Sequence, residues 1–138
     1  MSSKPIYITE FDLHRLQKLI QESQYTNYRK SNYLDTLKKE LDRAKIVAPE
    51  LIPSNIITMN SRVVLQDIET GEEETYTLVF PEDADIELNK VSVLAPIGTG
   101  MIGYEVGDVF DWPVPSGFRN LKVMKIIYQP EASGDFHL

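Results

Sequence analysis

The groups in this chain that could do chemistry are few, and their spacing excludes most of it. There is no cysteine, which removes disulfides, zinc-thiolate sites and cysteine nucleophiles together and fits a reducing compartment. His14 and His137 stand near opposite ends of the sequence with no metal-ligand spacing around either, so a histidine-held metal has no support. Gly98, Gly100 and Gly103 in GTGMIG lack the spacing of a dinucleotide fingerprint, and a Pro-Ile corner precedes them; tight turns and close packing are their ordinary use. No nucleophile elbow, phosphate-binding glycine loop or clustered acid/base pair is present, which argues against hydrolase and transferase chemistry. What remains is the polar stretch SQYTNYRKS at 23–31, with Tyr25, Asn27, Tyr28, Arg29 and Lys30 and no carboxylate. The nearest acids, Glu22 and Asp35, are thirteen positions apart. Arg29 and Lys30 repel a metal ion and suit acidic protein or a nucleic-acid phosphate. The expectation is a non-enzyme that holds neither metal nor cofactor.

The elements around that stretch predict a helical hairpin. Thr9, three residues ahead of Asp12, forms a capping arrangement in which hydroxyl and carboxylate satisfy orphan amides. Leu13, Leu16 and Ile20 then recur on one face beside Leu19, and this helix is expected to end near Ser23. Ser31 can cap a second helix, whose Leu34, Leu37, Leu41 and Ala44 form a narrow coiled-coil seam. A connection of about eight residues turns the second helix back along the first, giving antiparallel arms of roughly 20–25 Å. Pro49 and Pro53 disfavour helix at the residues before them, so the chain is divided into residues 1–50, the hairpin, and 51–138.

Beyond the boundary the apolar period becomes two. Val63 and Leu65 predict a strand, Glu69-Thr70-Gly71-Glu72 a turn, and Tyr76, Leu78 and Phe80 the facing strand. Val91–Leu94 reads as a third strand, and a second hairpin runs through Phe110, Trp112 and Val114, then Met124, Ile126 and Tyr128. One short helical segment is expected at Ile97–Gly103. The class is α+β, with a small, mainly antiparallel sheet. The tail PEASGDFHL is polar apart from Phe136 and Leu138 and reads as a frayed terminus.

Charge narrows the partners. Residues 1–50 hold nine Lys/Arg against seven Asp/Glu, and residues 51–138 hold five against fourteen, within a net charge of −7. An acidic body makes a poor general nucleic-acid binder, because affinity for phosphate rests on Lys and Arg. A charge-matched protein partner fits it better. The amino terminus lacks the apolar run of a signal peptide, and no stretch of eighteen apolar residues occurs anywhere; the expectation is a cytoplasmic chain without membrane contact.

The order strand, Ala-Pro-Ile corner, glycine-punctuated helical turn and Gly-Asp turn in KVSVLAPIGTGMIGYEVGD (90–108) closely resembles the centre of the C-terminal domain of the bacterial Gre transcript-cleavage factors. The resemblance spans 57–128, with ITMNSRVVLQDIETGEEETYTLV similar to that domain's first hairpin. Thr58-Met59-Asn60-Ser61-Arg62-Val63, Leu94-Ala95-Pro96 in place of an acidic-Ser-Pro corner, and Tyr128-Gln129-Pro130-Glu131-Ala132 with Gly134-Asp135 look like one branch, the regulators of nucleoside diphosphate kinase. The resemblance implies a sheet domain like that of FK506-binding proteins. It also implies docking of a monomer on the rim of the RNA polymerase secondary channel through Leu94, Ala95 and Pro96, with Ile97 beneath, and an effect on nucleoside diphosphate kinase levels. Cleavage factors carry two acids at the hairpin tip, which supply hard oxygen ligands to a weakly held second metal. This tip has none, so occupancy without cleavage, in competition with Gre factors, is expected. Two rival readings are a peptidyl-prolyl isomerase, with Tyr104, Phe110, Trp112 and Phe118 as an aromatic wall, and an adaptor that dimerises through the hairpin seam.

Overall fold

The computed structural model describes residues 6–23, 32–114, 117–135 and 138. Thr9 caps the first helix, α1 (Glu10–Ser23), through a hydrogen bond from the Asp12 amide to its Oγ1 at 3.1 Å. The Asp12 carboxylate does not join the cap as its spacing predicts; it is buried and accepts from the Met59 amide at 3.1 Å, across the expected domain boundary. The second helix, α2 (Asn32–Asp42), lies against α1. Leu16 and Ile20 of one and Leu37 and Leu41 of the other are buried, with Leu13, Leu19 and Ala44 packed alongside. The expected Ser31 cap and the turn residues Tyr25, Asn27, Tyr28, Arg29 and Lys30 lie outside the described residues.

A parallel strand pair, unforeseen from sequence, closes the base of this arm: β1 (Tyr7–Thr9) against β2 (Lys45–Val47), with Ile8 opposite Ile46. Three residues are too few to show a period of two. The pairing arises because a helix running out and another running back return the chain to its starting point. A single 3-10 turn at Pro49–Leu51 then leads into the body.

The body is a five-stranded sheet formed by β3 (Arg62–Asp67), β4 (Glu73–Val79), β5 (Lys90–Ser92), β6 (Val109–Val114) and β7 (Gly117–Tyr128), in the order β5-β4-β3-β7-β6. All pairings are antiparallel except β4 with β5, which is parallel. Two register shifts between β3 and β7, at Arg62/Val63 and Val64/Leu65, bend the sheet as bulges do. The short helix α3 (Pro96–Met101) packs against β5 and β6, ending two residues before the expected Gly103. The class is mixed α+β, as the patterning predicts. One core cluster joins Val63, Leu65, Leu78, Met101 and Val123 of the body to Ile8, Leu16 and Leu37 of the arm.

The tail is not frayed over 129–135. Gln129, Pro130 and Glu131 are buried, and the Gln129 side-chain amide donates to the main-chain oxygens of Pro53 at 2.9 Å and Ile56 at 2.7 Å. Composition reads such polar residues as solvated, yet here they tie loops together.

Candidate functional site

The corner after β5 is built by backbone hydrogen bonds and by one obligatory glycine. The Ala95 amide donates to the Ser92 carbonyl at 3.0 Å and the Leu94 amide to Ser92 Oγ at 3.0 Å. Pro96 then opens α3, where its missing amide costs nothing. Thr99 Oγ1 donates to the Val93 carbonyl at 2.7 Å and clamps the helix to the corner. A Cβ on Gly98 would lie 2.0 Å from the Ser92 carbonyl oxygen, so only glycine lets the helix rest on this peptide. On Gly100 a Cβ would lie 2.6 Å from the Phe110 ring. Both glycines thus serve packing; neither faces an open phosphate site.

Of the expected docking residues, Leu94 is 3% and Ile97 5% exposed, whereas Ala95 is half-buried. Leu94 and Ile97 therefore hold the corner from within, and Ala95 reaches its surface. Ala95 and Ile97 border an open groove of about 560 Å³ on the sheet side, walled by Tyr76, Val91, Asn89, Lys90, Ala84 and Ile86. Sequence reasoning missed this wall, and above all the loop between β4 and β5. There Ile86 is 86% and Leu88 63% exposed, on a single 3-10 turn.

That loop is held by its own bonds. The Asp85 side chain accepts from the Glu87 amide at 3.1 Å, Asp85 and Lys90 exchange two backbone bonds of 2.9 Å, and Asn89, in the left-handed region at φ 54°, donates from its side chain to the Thr75 carbonyl at 3.1 Å. Asn tolerates that conformation better than most residues. The signal in the sequence was Ile-Glu-Leu-Asn, two apolar residues inside an acidic, Asx-bearing loop where a core strand is not expected.

Acidic groups set the field at the groove: Glu74 and Asp85 line it, with Lys90 as a lining cation. Tyr76 donates its hydroxyl to Glu74, and burial, reinforced by that carboxylate, pushes the phenol up to about 12. Tyr76 stays a neutral donor at any physiological pH. Of the aromatic wall expected for a prolyl isomerase, the Trp112 side chain lies outside the described residues. Phe110 is core and meets Tyr104 edge-on at 6.1 Å, while Phe118 is exposed on β7. Among the described residues no group of three or more His, Asp or Glu side chains is arranged to hold a metal, and no helix is long and apolar enough to cross a membrane.

The family described as "Transcription elongation factor, GreA/GreB, C-term" matches residues 52–128, and "Rnk N-terminus" matches residues 4–47. The regulator of nucleoside diphosphate kinase of Escherichia coli K12 is 37% identical over the whole of both chains. Transcription elongation factor GreA of Desulfotalea psychrophila is 35% identical over 72% of this chain and 59% of its own length. A solved structure titled prokaryotic transcription elongation factor GreA/GreB from Nitrosomonas europaea superposes with a TM-score of 0.76 at 35% identity, covering 91% of this chain and all of that one.

Proposed function

The chain belongs to the GreA/GreB family, in its Rnk branch, and on that premise we propose that it is a non-enzymatic transcription regulator. In this reading it docks as a monomer on the rim of the RNA polymerase secondary channel and leaves transcript cleavage unstimulated. The contact surface is the corner at Ala95 and Pro96 together with the groove and the exposed Ile86 and Leu88, while Leu94 and Ile97 support it from beneath. An apolar groove edged by Glu74 and Asp85 favours a polymerase segment that offers an apolar side chain flanked by basic ones, since charge complementarity orients the encounter and apolar burial holds it.

The observation that carries the second half of the reading is the acid-free stretch at 23–31. A tip with Arg29 and Lys30 supplies no oxygen ligand to a second catalytic metal, so a docked molecule occupies the site of a cleavage factor without its activity. The effect on nucleoside diphosphate kinase that the relative's name carries would then follow through transcription.

The test adds the purified chain to stalled elongation complexes that contain a Gre factor. Gre-stimulated cleavage is expected to decline to the intrinsic rate as the chain saturates, with no stimulation by the chain alone. Cleavage that persists unchanged at saturation would overturn competition.

A further inference from the structure

Three segments far apart in sequence meet where the arm joins the body. Asp12 of α1, 0% exposed, accepts from the Met59 amide and from Arg15 Nη2. The same Nη2 donates to the main-chain oxygen of Leu138 at 2.9 Å, and the Arg15 guanidinium lies 4.0 Å from the Phe11 ring centre and 4.8 Å from that of Phe80. A short distance away, Glu131 accepts from Thr58 Oγ1 at 2.7 Å, and Thr58 in turn bonds Ser61 through both its amide (3.0 Å) and its hydroxyl (2.9 Å). The motifs Thr58-Met59-Asn60-Ser61 and Gln129-Pro130-Glu131, which the docking surface does not use, thus belong to one joint.

The energetics of this joint are poor for stability and good for geometry. Two carboxylates are buried at the joint, only Asp12 is paired with the guanidinium, and the Arg15 Nε is buried without a hydrogen-bond partner. An apolar joint of the same volume would serve stability as well or better, and the two rings offset only part of the desolvation of the cation. Directional bonds, however, fix an angle that apolar packing leaves soft. The arm gains from such fixing, because a cleft of about 410 Å³, lined by Lys18, Leu19 and Glu22 of α1 and Pro81 and Glu82 of the body, opens on this flank of the helix, where Arg15 bridges to the Phe80 ring.

We propose that residues 129–135, together with Leu138, form a strap that sets the direction of the helical arm relative to the body, with Arg15 as the positioning residue that ties α1 to Leu138. The strap acts in the free protein and requires no polymerase, so its test is separate from that of docking.

The absence of cysteine allows clean labelling. Nitroxides on Lys18→Cys, whose side chain is 79% exposed, and on the exposed Lys122→Cys report the distance from arm to sheet; a control pair on Lys90→Cys and Lys122→Cys reports the body alone. The parent pair is expected to give a narrow distribution. Arg15→Met should broaden the arm-to-sheet distribution about two-fold or more while leaving the control pair unchanged, as for a local opening, and Arg15→Lys should fall between. An Arg15→Met chain that is folded by the control pair but as narrow as the parent would overturn the strap. Should Arg15→Met not fold, Thr58→Val combined with Glu131→Leu loosens the joint from the strap's side; broadening supports the proposal and an unchanged width sinks it.

Discussion

Asp12 and Glu131 sit where pattern predicts a helix cap and a loose tail, and both are buried acids instead. Burial pushes the Asp12 carboxyl up, against the opposing pull of Arg15 and the Met59 amide. Burial likewise pushes Glu131 up, with the Thr58 hydrogen bond pulling the other way. A carboxyl whose native value is raised binds its proton more tightly folded than unfolded, so the stability linked to it is greatest below the ordinary value of 4.5 for Glu131 and is lost as pH rises through the native value. Glu131→Gln keeps an oxygen to accept from Thr58 and removes the charge. Urea unfolding of the two proteins across pH 4 to 8 should show the variant gaining on the parent as pH climbs past that ordinary value, then levelling off. A difference independent of pH would mean that Glu131 has no linked proton. Nothing in the local sequence marks either acid as buried: Glu131 lies in a polar tail, and Asp12 reads as an ordinary first-turn acid.

Among elements, the corner and the loop before it divide the labour of a docking surface. The Leu-Ala-Pro-Ile run is legible in sequence as a corner, but not which of its residues face outward. Leu94 and Ile97 point inward because the β-turn that the Ser92 carbonyl closes carries them over the sheet, and Gly98 presses α3 onto it. Ile86→Ser with Leu88→Ser is expected to leave the unfolding midpoint nearly unchanged, surface positions away from packed features being worth within about 0.5 kcal/mol, while weakening capture of RNA polymerase at least about ten-fold, or roughly 1.4 kcal/mol. Leu94→Asp should instead destabilise the fold by about 3 kcal/mol or more, as a buried unpaired carboxyl does. Unaltered capture by the double serine variant in a pull-down would move the contact away from this loop.

At the scale of the molecule, arm and body share a core. Ile8, Leu16 and Leu37 cluster with Val63, Met101 and Val123, although prolines at 49 and 53 mark a boundary by composition. The expected behaviour is one cooperative transition, with helix content and aromatic environment lost together. Leu16→Ala should lower that single transition by about 2–4 kcal/mol rather than melt the arm first. Two separate transitions by far- and near-ultraviolet circular dichroism would show instead that the hairpin folds on its own.

Local chemistry sufficed for the helices, the two β-hairpins and the glycine-studded corner, because periodicity, capping and turn geometry act over a few residues and are written where they act. The family was legible for the same reason, its motif being one contiguous run. Only the tertiary structure decided that β1 and β2 pair, that Ile86 and Leu88 stand out beside a groove, and that Asp12, Arg15, Thr58 and Glu131 meet. Those outcomes depend on contacts between residues tens of positions apart, which chain closure creates and which no local pattern encodes.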